Sequence, residues 1–202
     1  MSDRDPAVAL LEFDSISVGI VAGDAMIKAS PLGAIHSGTV HPGKYLVMVS
    51  GDTASVEEAV QAGRDAGSEA ILDVVFLADV HPAVANAVAG NSNRAPVGDE
   101  ALGIVESSSV AAVLDAADAG VKAASVELAA VRLADGLGGK AYVLFSGAVA
   151  EVEAALEAAS ERADGHQSLV RANLIAQLHG EMAANLRGDL RFMRRVSSKG
   201  SG

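Results

Sequence analysis

The chain has 202 residues, half of them hydrophobic, with a formal net charge of −11 at pH 7 and no cysteine. This length allows one large domain or two of about 100 residues. The acidic balance argues against general nucleic-acid binding, which needs a basic surface, and the lack of cysteine excludes disulfides, thiolate nucleophiles and cysteine-ligated iron–sulfur clusters.

The start of the chain, MSDRDPAVAL, lacks the basic segment and long apolar run of a signal peptide. Its apolar runs are far shorter than the roughly 20 residues that cross a bilayer. We therefore expect a soluble intracellular protein. Aromatic residues make up only 3% of the chain, so small side chains should form thin, closely packed layers with little aromatic lining for a ligand pocket.

In chain order, residues 8–13 form an apolar run typical of a strand, and Ser15 or Ser17 can cap a helix that ends near Ala29. A second strand is expected within residues 31–40. After the turn HPGK, residues 44–50 have the pattern of a buried third strand.

The first half continues with a capping-box pattern, Ser55 to Glu58, that predicts a helix ending near Gly67. Residues 71–80 predict a fourth strand and residues 82–88 a short helix. Apolar spacing predicts the sheet-facing residues of the two longer helices. They are Val18, Val21, Ala22 and Ala25 in the first helix, and Val56, Ala59, Val60 and Gly63 in the second.

Residues 8–30 return as residues 102–124 at a constant offset of 94, and seven of the 23 aligned pairs are identical, Glu12/Glu106 among them. Such a duplication predicts two copies of one structural unit. The expected organisation is a first domain at 1–90, a polar linker at 91–100, a second domain at 101–188 and a partly disordered tail at 189–202.

The rest of the second half repeats the same order. Residues 43–63 return at an offset of 96 with ten of 21 pairs identical, and the fourth strand returns at an offset of 98. Each half therefore predicts β-α-β-β-α-β, an α+β ferredoxin-like unit with two helices on one face of an antiparallel sheet.

The segments LGIVES, AAVLDAADAGVKAA and GGKAYVLFSGAVAEVEAAL resemble the bacterial microcompartment shell domain, as do DAMIKAS and PGKYLVMVSGDTASVEEAV in the first half. The whole chain is similar to the tandem, trimer-forming shell proteins in the unpermuted order. The resemblance implies a flat pseudohexameric trimer in the shell of a bacterial microcompartment, in the cytoplasm. Its partners would be hexameric and pentameric shell proteins and encapsulated enzymes, with no catalytic residue, cofactor, nucleic acid or membrane.

The resemblance also implies two sets of functional residues. The loops before the third strand of each half would line a central pore, namely Val40, His41, Pro42, Gly43, Asp135, Gly136, Leu137, Gly138 and Gly139. The residues expected where neighbouring tiles meet are Lys28, Lys122, His81 and His179. The family's Pro-Arg-Pro edge motif is absent, so only the position after the fourth strand is carried over.

Some tandem shell proteins have a cysteine before this Pro-Gly-Lys and hold an iron–sulfur cluster on the threefold axis, whereas His41 stands there in this chain. A thiolate-ligated cluster is excluded. Three copies of His41 near an axis could instead form a zinc or redox site, or a ring whose charge changes near pH 6.5. A polar pore residue is the alternative. His36 lies close in sequence, but no third ligand has motif spacing.

Other interpretations remain open from the residues. A trimeric ferredoxin-like protein could bind a metabolite or transmit a signal without forming sheets. Gly136 to Gly139 resembles a phosphate loop but lacks the G-x-x-x-x-G-K-[ST] spacing and precedes a strand. His166, in the turn ADGHQS, is expected to be solvated, and no Ser-His-Asp arrangement is recognisable.

Overall fold

The computed structural model describes residues 7–89 and 100–187. The first half contains β1 (Ala7–Phe13), α1 (Ile16–Ala29), β2 (Ala34–Val40), β3 (Lys44–Gly51), α2 (Thr53–Gly67), β4 (Ile71–Leu77) and α3 (Pro82–Val88). The second half contains β5 (Ala101–Ser107), α4 (Val110–Ala123), β6 (Glu127–Leu133), β7 (Ala141–Gly147), α5 (Val149–Gly165), β8 (Leu169–Ile175) and α6 (Gly180–Arg187).

The predicted tail, and the predicted linker apart from Glu100, lie outside the described residues. Within the described part of the chain, no helix is both long enough and apolar enough to cross a membrane.

Each half forms one four-stranded antiparallel sheet, and the two sheets have the same topology. In the described ranges the strand orders are β2-β3-β1-β4 and β6-β7-β5-β8. The central strands pair at matching positions, since Glu12 lies opposite Leu46 and Glu106 lies opposite Tyr142. The prediction of two tandem ferredoxin-like units of α+β class is confirmed.

Serine side chains cap the equivalent helices α1 and α4. Ser15 Oγ accepts a hydrogen bond from the Val18 amide, and Ser109 Oγ accepts one from Ala112. The predicted start of α2 is wrong by three residues, since the N-cap is Asp52 and not Ser55. Asp52 caps α2 by accepting from the Ser55 amide, so the helix begins at Thr53, because an earlier side chain of equal capping strength satisfies the first turn.

The core of the first half lies between its sheet and helices α1 and α2. The face predicted for α2 is confirmed, since Val56, Ala59, Val60 and Gly63 are all buried. A Cβ on Gly63 would lie 2.8 Å from Met26 Sδ, so the two helices approach as closely as the small residues allow.

The face predicted for α1 is wrong at Val21, which is exposed, and right at Ala22, which is buried. Val18 and Ala25 are half-buried, and the other buried residues of the helix are Gly19, Gly23 and Met26. The helix is apolar nearly all round, and spacing alone therefore could not decide which stripe packs on its own sheet.

The opposite face of the first sheet is also buried, because the second half packs on it. Val8, Leu10 and Leu77 of this outer face form one hydrophobic cluster with α4 residues such as Val110 and Leu114. The two halves are thus joined through a continuous core.

Candidate functional site

The contact between the halves contains a fully buried carboxylate, that of Glu12. Glu12 Oε2 accepts from the amide of Val110, the first residue of α4, at 2.9 Å. Glu12 Oε1 accepts from Lys44 Nζ at 2.5 Å, and Lys44 also donates to the Ser108 carbonyl at 3.2 Å. A negative charge at a helix N-terminus is favourable, so an acid of the first half stabilises the start of a helix in the second.

A second polar cluster lies at the same contact. His166 donates from Nδ1 to Asp73 Oδ1 at 2.8 Å and from Nε2 to Asp115 Oδ2 at 3.2 Å. Arg162 Nε donates to Asp115 Oδ1 at 3.1 Å, and Ser109 Oγ donates to Asp73. One histidine therefore links a strand of the first half to a helix of the second.

The electrostatics of this cluster favour the charged forms. Hydrogen bonds to Asp115 and Asp73 raise the pKa of His166 to about 9, against the opposing effect of partial burial. Burial alone would raise the pKa values of Asp73 and Asp115, but their bonds with His166, Ser109 and Arg162 outweigh it, so both pKa values fall below the usual value.

The expectation that His166 is solvated is wrong, since its side chain keeps only 15% of its exposure. The signal was the offset between the repeats, which grows from 96 to 98 before the fourth strand. Those two extra residues extend α5, which has 17 residues against 15 in α2, and the connection after the longer helix places His166 over Asp73. Periodicity could not reveal this pair, because its members are 93 residues apart.

The surfaces buried at this contact occur a second time on the chain, where they are exposed. Leu114 of α4 is fully buried, while its counterpart Ile20 of α1 is 54% exposed. Val84 of α3 is fully buried, while its counterpart Met182 of α6 is 50% exposed.

The second half carries an apolar groove of about 280 Å³, which we call the open groove. Its lining residues are Leu102, Ile104, Glu106, Tyr142, Leu144, Ile175, Leu178, Met182 and Leu186. Their counterparts in the first half are Val8, Leu10, Glu12, Leu46, Met48, Leu77, Val80, Val84 and Val88. Those counterparts lie at the contact with the second half, eight of them in its apolar cluster and Glu12 on the start of α4. The open groove thus has the shape and chemistry of a surface that binds a helix like α4.

The structure brings the two predicted pore loops together. His41, Pro42 and Gly43 are exposed at the turn between β2 and β3. A Cβ on Gly139 would lie 2.9 Å from Pro42 Cδ, so Gly139 is buried against this turn. Its φ of +86° suits glycine.

The remaining pore candidates flank this contact. Asp135, Gly136 and Gly138 are exposed, and Leu137 and Val40 are half-buried. A single corner of the chain therefore holds all nine candidates.

The four predicted edge residues are placed differently in the two halves. Lys122 pairs with Asp118 at 2.5 Å and also donates to the Asp79 carbonyl, while the His81 amide donates to Asp118 at 2.7 Å. Lys122 and His81 are therefore brought together where the halves meet.

Lys28 pairs only locally with Asp24, and both side chains are largely exposed. His81 and His179 each accept from a backbone amide two residues ahead, so both rings cap the start of a short helix.

No group of three or more histidine, cysteine, aspartate or glutamate side chains in residues 7–89 and 100–187 is arranged to hold a metal. His36 and His41 are both exposed. Whether His41 from several copies forms a site stays a prediction.

A family model described as BMC domain matches residues 7–89 and 101–178. The chain is 38% identical over 176 residues to the bacterial microcompartment shell protein PduT of Citrobacter freundii, covering 87% of this chain and 95% of that protein. It is 36% identical over 83 residues to the microcompartment shell protein EutM of Salmonella typhimurium, covering 41% of this chain and 84% of that protein.

Among solved structures, a microcompartments protein from Desulfitobacterium hafniense superposes with a TM-score of 0.76 at 35% identity. The match covers 88% of this chain and 98% of that structure, so it includes both halves.

We predict that Glu12→Gln lowers the free energy of unfolding by about 2–4 kcal/mol, because Lys44 and the start of α4 lose a buried anionic partner. Glu106→Gln is the matched control. Glu106 pairs with Lys140 at 2.7 Å but its side chain is 35% exposed, so its loss should cost under about 1 kcal/mol within one chain. Urea unfolding at low protein concentration measures both. Equal losses would contradict the role given to Glu12.

The His166 cluster predicts a pH-dependent stability. Since the pKa of His166 is about 9 in the folded chain and 6.5 is its reference value, its contribution is complete below about pH 6.5 and disappears as the pH rises through about 9. The lowered pKa values of Asp73 and Asp115 add a contribution that is present at neutral pH and is lost as the pH falls through those lowered values. Urea unfolding across this range should show a decline in wild type and a flatter profile in His166→Gln. An unchanged slope in the variant would refute the assignment.

Proposed function

The chain belongs to the BMC-domain family of bacterial microcompartment shell proteins, with two such domains in tandem, and on this premise we propose that three copies close into a pseudohexameric ring with a central pore. It is a structural component of the microcompartment shell, in a family that is not enzymatic. One observation supports the ring. Each of the two surfaces that meet between the halves has a counterpart that is exposed, one on α1 and the other at the open groove.

The proposed contact between copies places α1 of one chain in the open groove of the next. Ile20, Val21 and Ile27 on α1 are each more than half exposed, as expected of a helix that awaits a partner. Burying such half-exposed aliphatic side chains contributes roughly 1 kcal/mol each, so a few of them hold two chains together.

The polar part of the contact has counterparts as well. Glu106 corresponds to Glu12 and is positioned to accept from the start of α1 in the next copy, as Glu12 accepts from Val110. Asp24 of one copy and His179 of the other correspond to Asp118 and His81, which are hydrogen-bonded inside the chain.

Helix and groove are different surfaces of one chain, so the contact is head-to-tail, and such contacts form either closed rings or open filaments. The contact inside the chain relates two similar units by one rotation. If that rotation is one sixth of a turn and the contact between chains repeats it, six units in three chains complete a circle. This supports a closed trimer with pseudo-sixfold symmetry.

The pore proposal rests on the loop corner where Gly139 packs on Pro42. In a ring, the three corners would converge around the axis and present exposed His41, Pro42 and Gly43, with the glycines of the second loop, to a narrow passage. Backbone groups freed by glycine suit the passage of small polar metabolites. Membership of a shell family favours passage and assembly over the ferredoxin-like signalling alternative.

Assembly with other shell proteins follows from the family. We extend the proposal to the finer partners: hexameric and pentameric shell proteins at the tile edges, and enzymes enclosed by the shell. Lys28 and Lys122, with His81 and His179, are the proposed edge residues.

We predict that Ile20→Glu and Met182→Glu, each made alone, convert the trimer to monomers. A carboxylate forced into an apolar contact costs several kcal/mol, which raises the dissociation constant about a hundredfold or more. Analytical ultracentrifugation measures the mass, and circular dichroism checks that the chain still folds.

Leu72→Glu is the matched control for these variants, because Leu72 and its counterpart Val170 are similarly exposed, at 48% and 40%, and so lie outside the repeated contact. Trimers that survive both groove and helix variants would overturn the proposed ring. A wild-type chain that is monomeric would overturn it too.

The edge proposal predicts that Lys28→Ala or Lys122→Ala reduces the formation of extended sheets and leaves the trimer intact. Electron microscopy of wild type and variants at equal concentration measures sheet formation. Arg64→Ala, which removes an exposed cation from α2, is the control. Normal sheets from both lysine variants would disprove the edge assignment.

A further inference from the structure

We propose that the two repeated contacts carry opposite charges on matching surfaces, with Asp73 facing cations inside the chain and Arg171 facing Glu69 of a second copy. This reversal makes the open groove accept α1 of a second copy and reject α4. The proposal rests on the ring proposed above and concerns which surface of a second copy the open groove accepts.

Inside the chain, the groove side is acidic and the helix side is basic. Glu12 and Asp73 outnumber Lys44, which leaves one net negative charge on the first sheet. The second half offers Asp115, Arg162 and protonated His166, which together carry one net positive charge. The ion pairs across this contact therefore neutralise both sides.

The open groove has the opposite sign. The counterpart of Asp73 is Arg171, which lies opposite Glu106 in the β5/β8 pairing just as Asp73 lies opposite Glu12. Glu106 is paired with Lys140, so Arg171 leaves one net positive charge on this surface. Arg171 is exposed and forms no ion pair with the residues in 7–89 and 100–187.

The net charge of the matching helix side has changed in the opposite direction, from positive to negative. Val21 stands where α4 has Asp115, and Ala66 stands where α5 has Arg162. The connection that contains His166, residues 166–168, corresponds to residues 68–70 in the first half. There Ser68 stands in the place of His166, and the exposed charged residue is Glu69. Both members of the contact have thus reversed sign together, which is the pattern of complementary surfaces.

The reversal penalises the wrong pairings. If α4 of another copy, with its neighbouring α5, entered the open groove, Arg171 would face Arg162 and His166, which are both cationic. If α1 replaced α4 on the first sheet, Asp73 would lose both His166 and the compensating charge of the cluster. Only α1 in the open groove, and α4 on the first sheet, leave the charges balanced.

The test is a charge-reversal cycle in the full chain. Arg171→Glu and Glu69→Arg should each raise the trimer dissociation constant about tenfold or more, because each places like charges across every contact between copies. The double variant restores opposite charges at all of these contacts and should return the constant to within about threefold of wild type. Ultracentrifugation over a concentration series gives the constants.

A second readout separates charge from shape. The effect of each single variant should shrink in about 1 M salt, where exposed charges are screened, whereas a disrupted fold would not recover. Both residues are exposed in the single chain, so circular dichroism should show unchanged folding.

The outcomes distinguish the two proposals. A wild-type chain that forms no trimer overturns the ring itself. If the wild type forms trimers and the single variants bind with normal affinity, the charge reversal is wrong and the ring still holds. The same conclusion follows if the double variant loses as much binding free energy as the two single variants together.

Discussion

The buried carboxylate of Glu12 is the interaction on which the arrangement of the two halves depends. It lies on a central strand of the first sheet and accepts from the first amide of α4 and from Lys44. A buried charge is tolerated only when it is paired and hydrogen-bonded, and the partners of Glu12 come from both halves. The second half must therefore sit with the start of α4 over this strand, and the apolar cluster between the halves follows from that placement.

Because the unit is duplicated, the contact between the halves can form a second time, between two chains of the proposed ring. Because each half carries both a groove and a helix, a chain of two halves satisfies one contact and leaves one groove and one helix exposed. The exposed fractions of equivalent side chains show the difference. Leu77, on the first sheet where the second half packs, is 6% exposed, whereas its counterpart Ile175 in the open groove is 37% exposed. The two halves differ at His166, Asp73 and Arg171, and these residues distinguish the contact inside the chain from the proposed contact between chains.

Much of the fold could be predicted from the sequence because the signals are local. The helix at Pro82–Val88 and the buried face of α2 follow from proline, capping and spacing. The exposure of Val21 on α1 and the burial of His166 could not be predicted, since both depend on residues far along the chain. Val21 is an apolar residue that a single chain leaves exposed. Its exposure disagrees with the local periodicity and agrees with the proposed ring, in which a second copy would cover it.

The measurement that tests the account most directly is chemical crosslinking between α1 and the open groove. The chain has no cysteine, so Ile20→Cys with Ile175→Cys introduces the only two thiols, one on each proposed surface. A short bis-maleimide should then link chains into dimers and trimers that stop near 60.9 kDa, three chains of 20.3 kDa, while either cysteine alone gives no trimer. A ladder that continues beyond three chains, or monomers alone, would contradict a closed ring built by repeating the contact inside the chain.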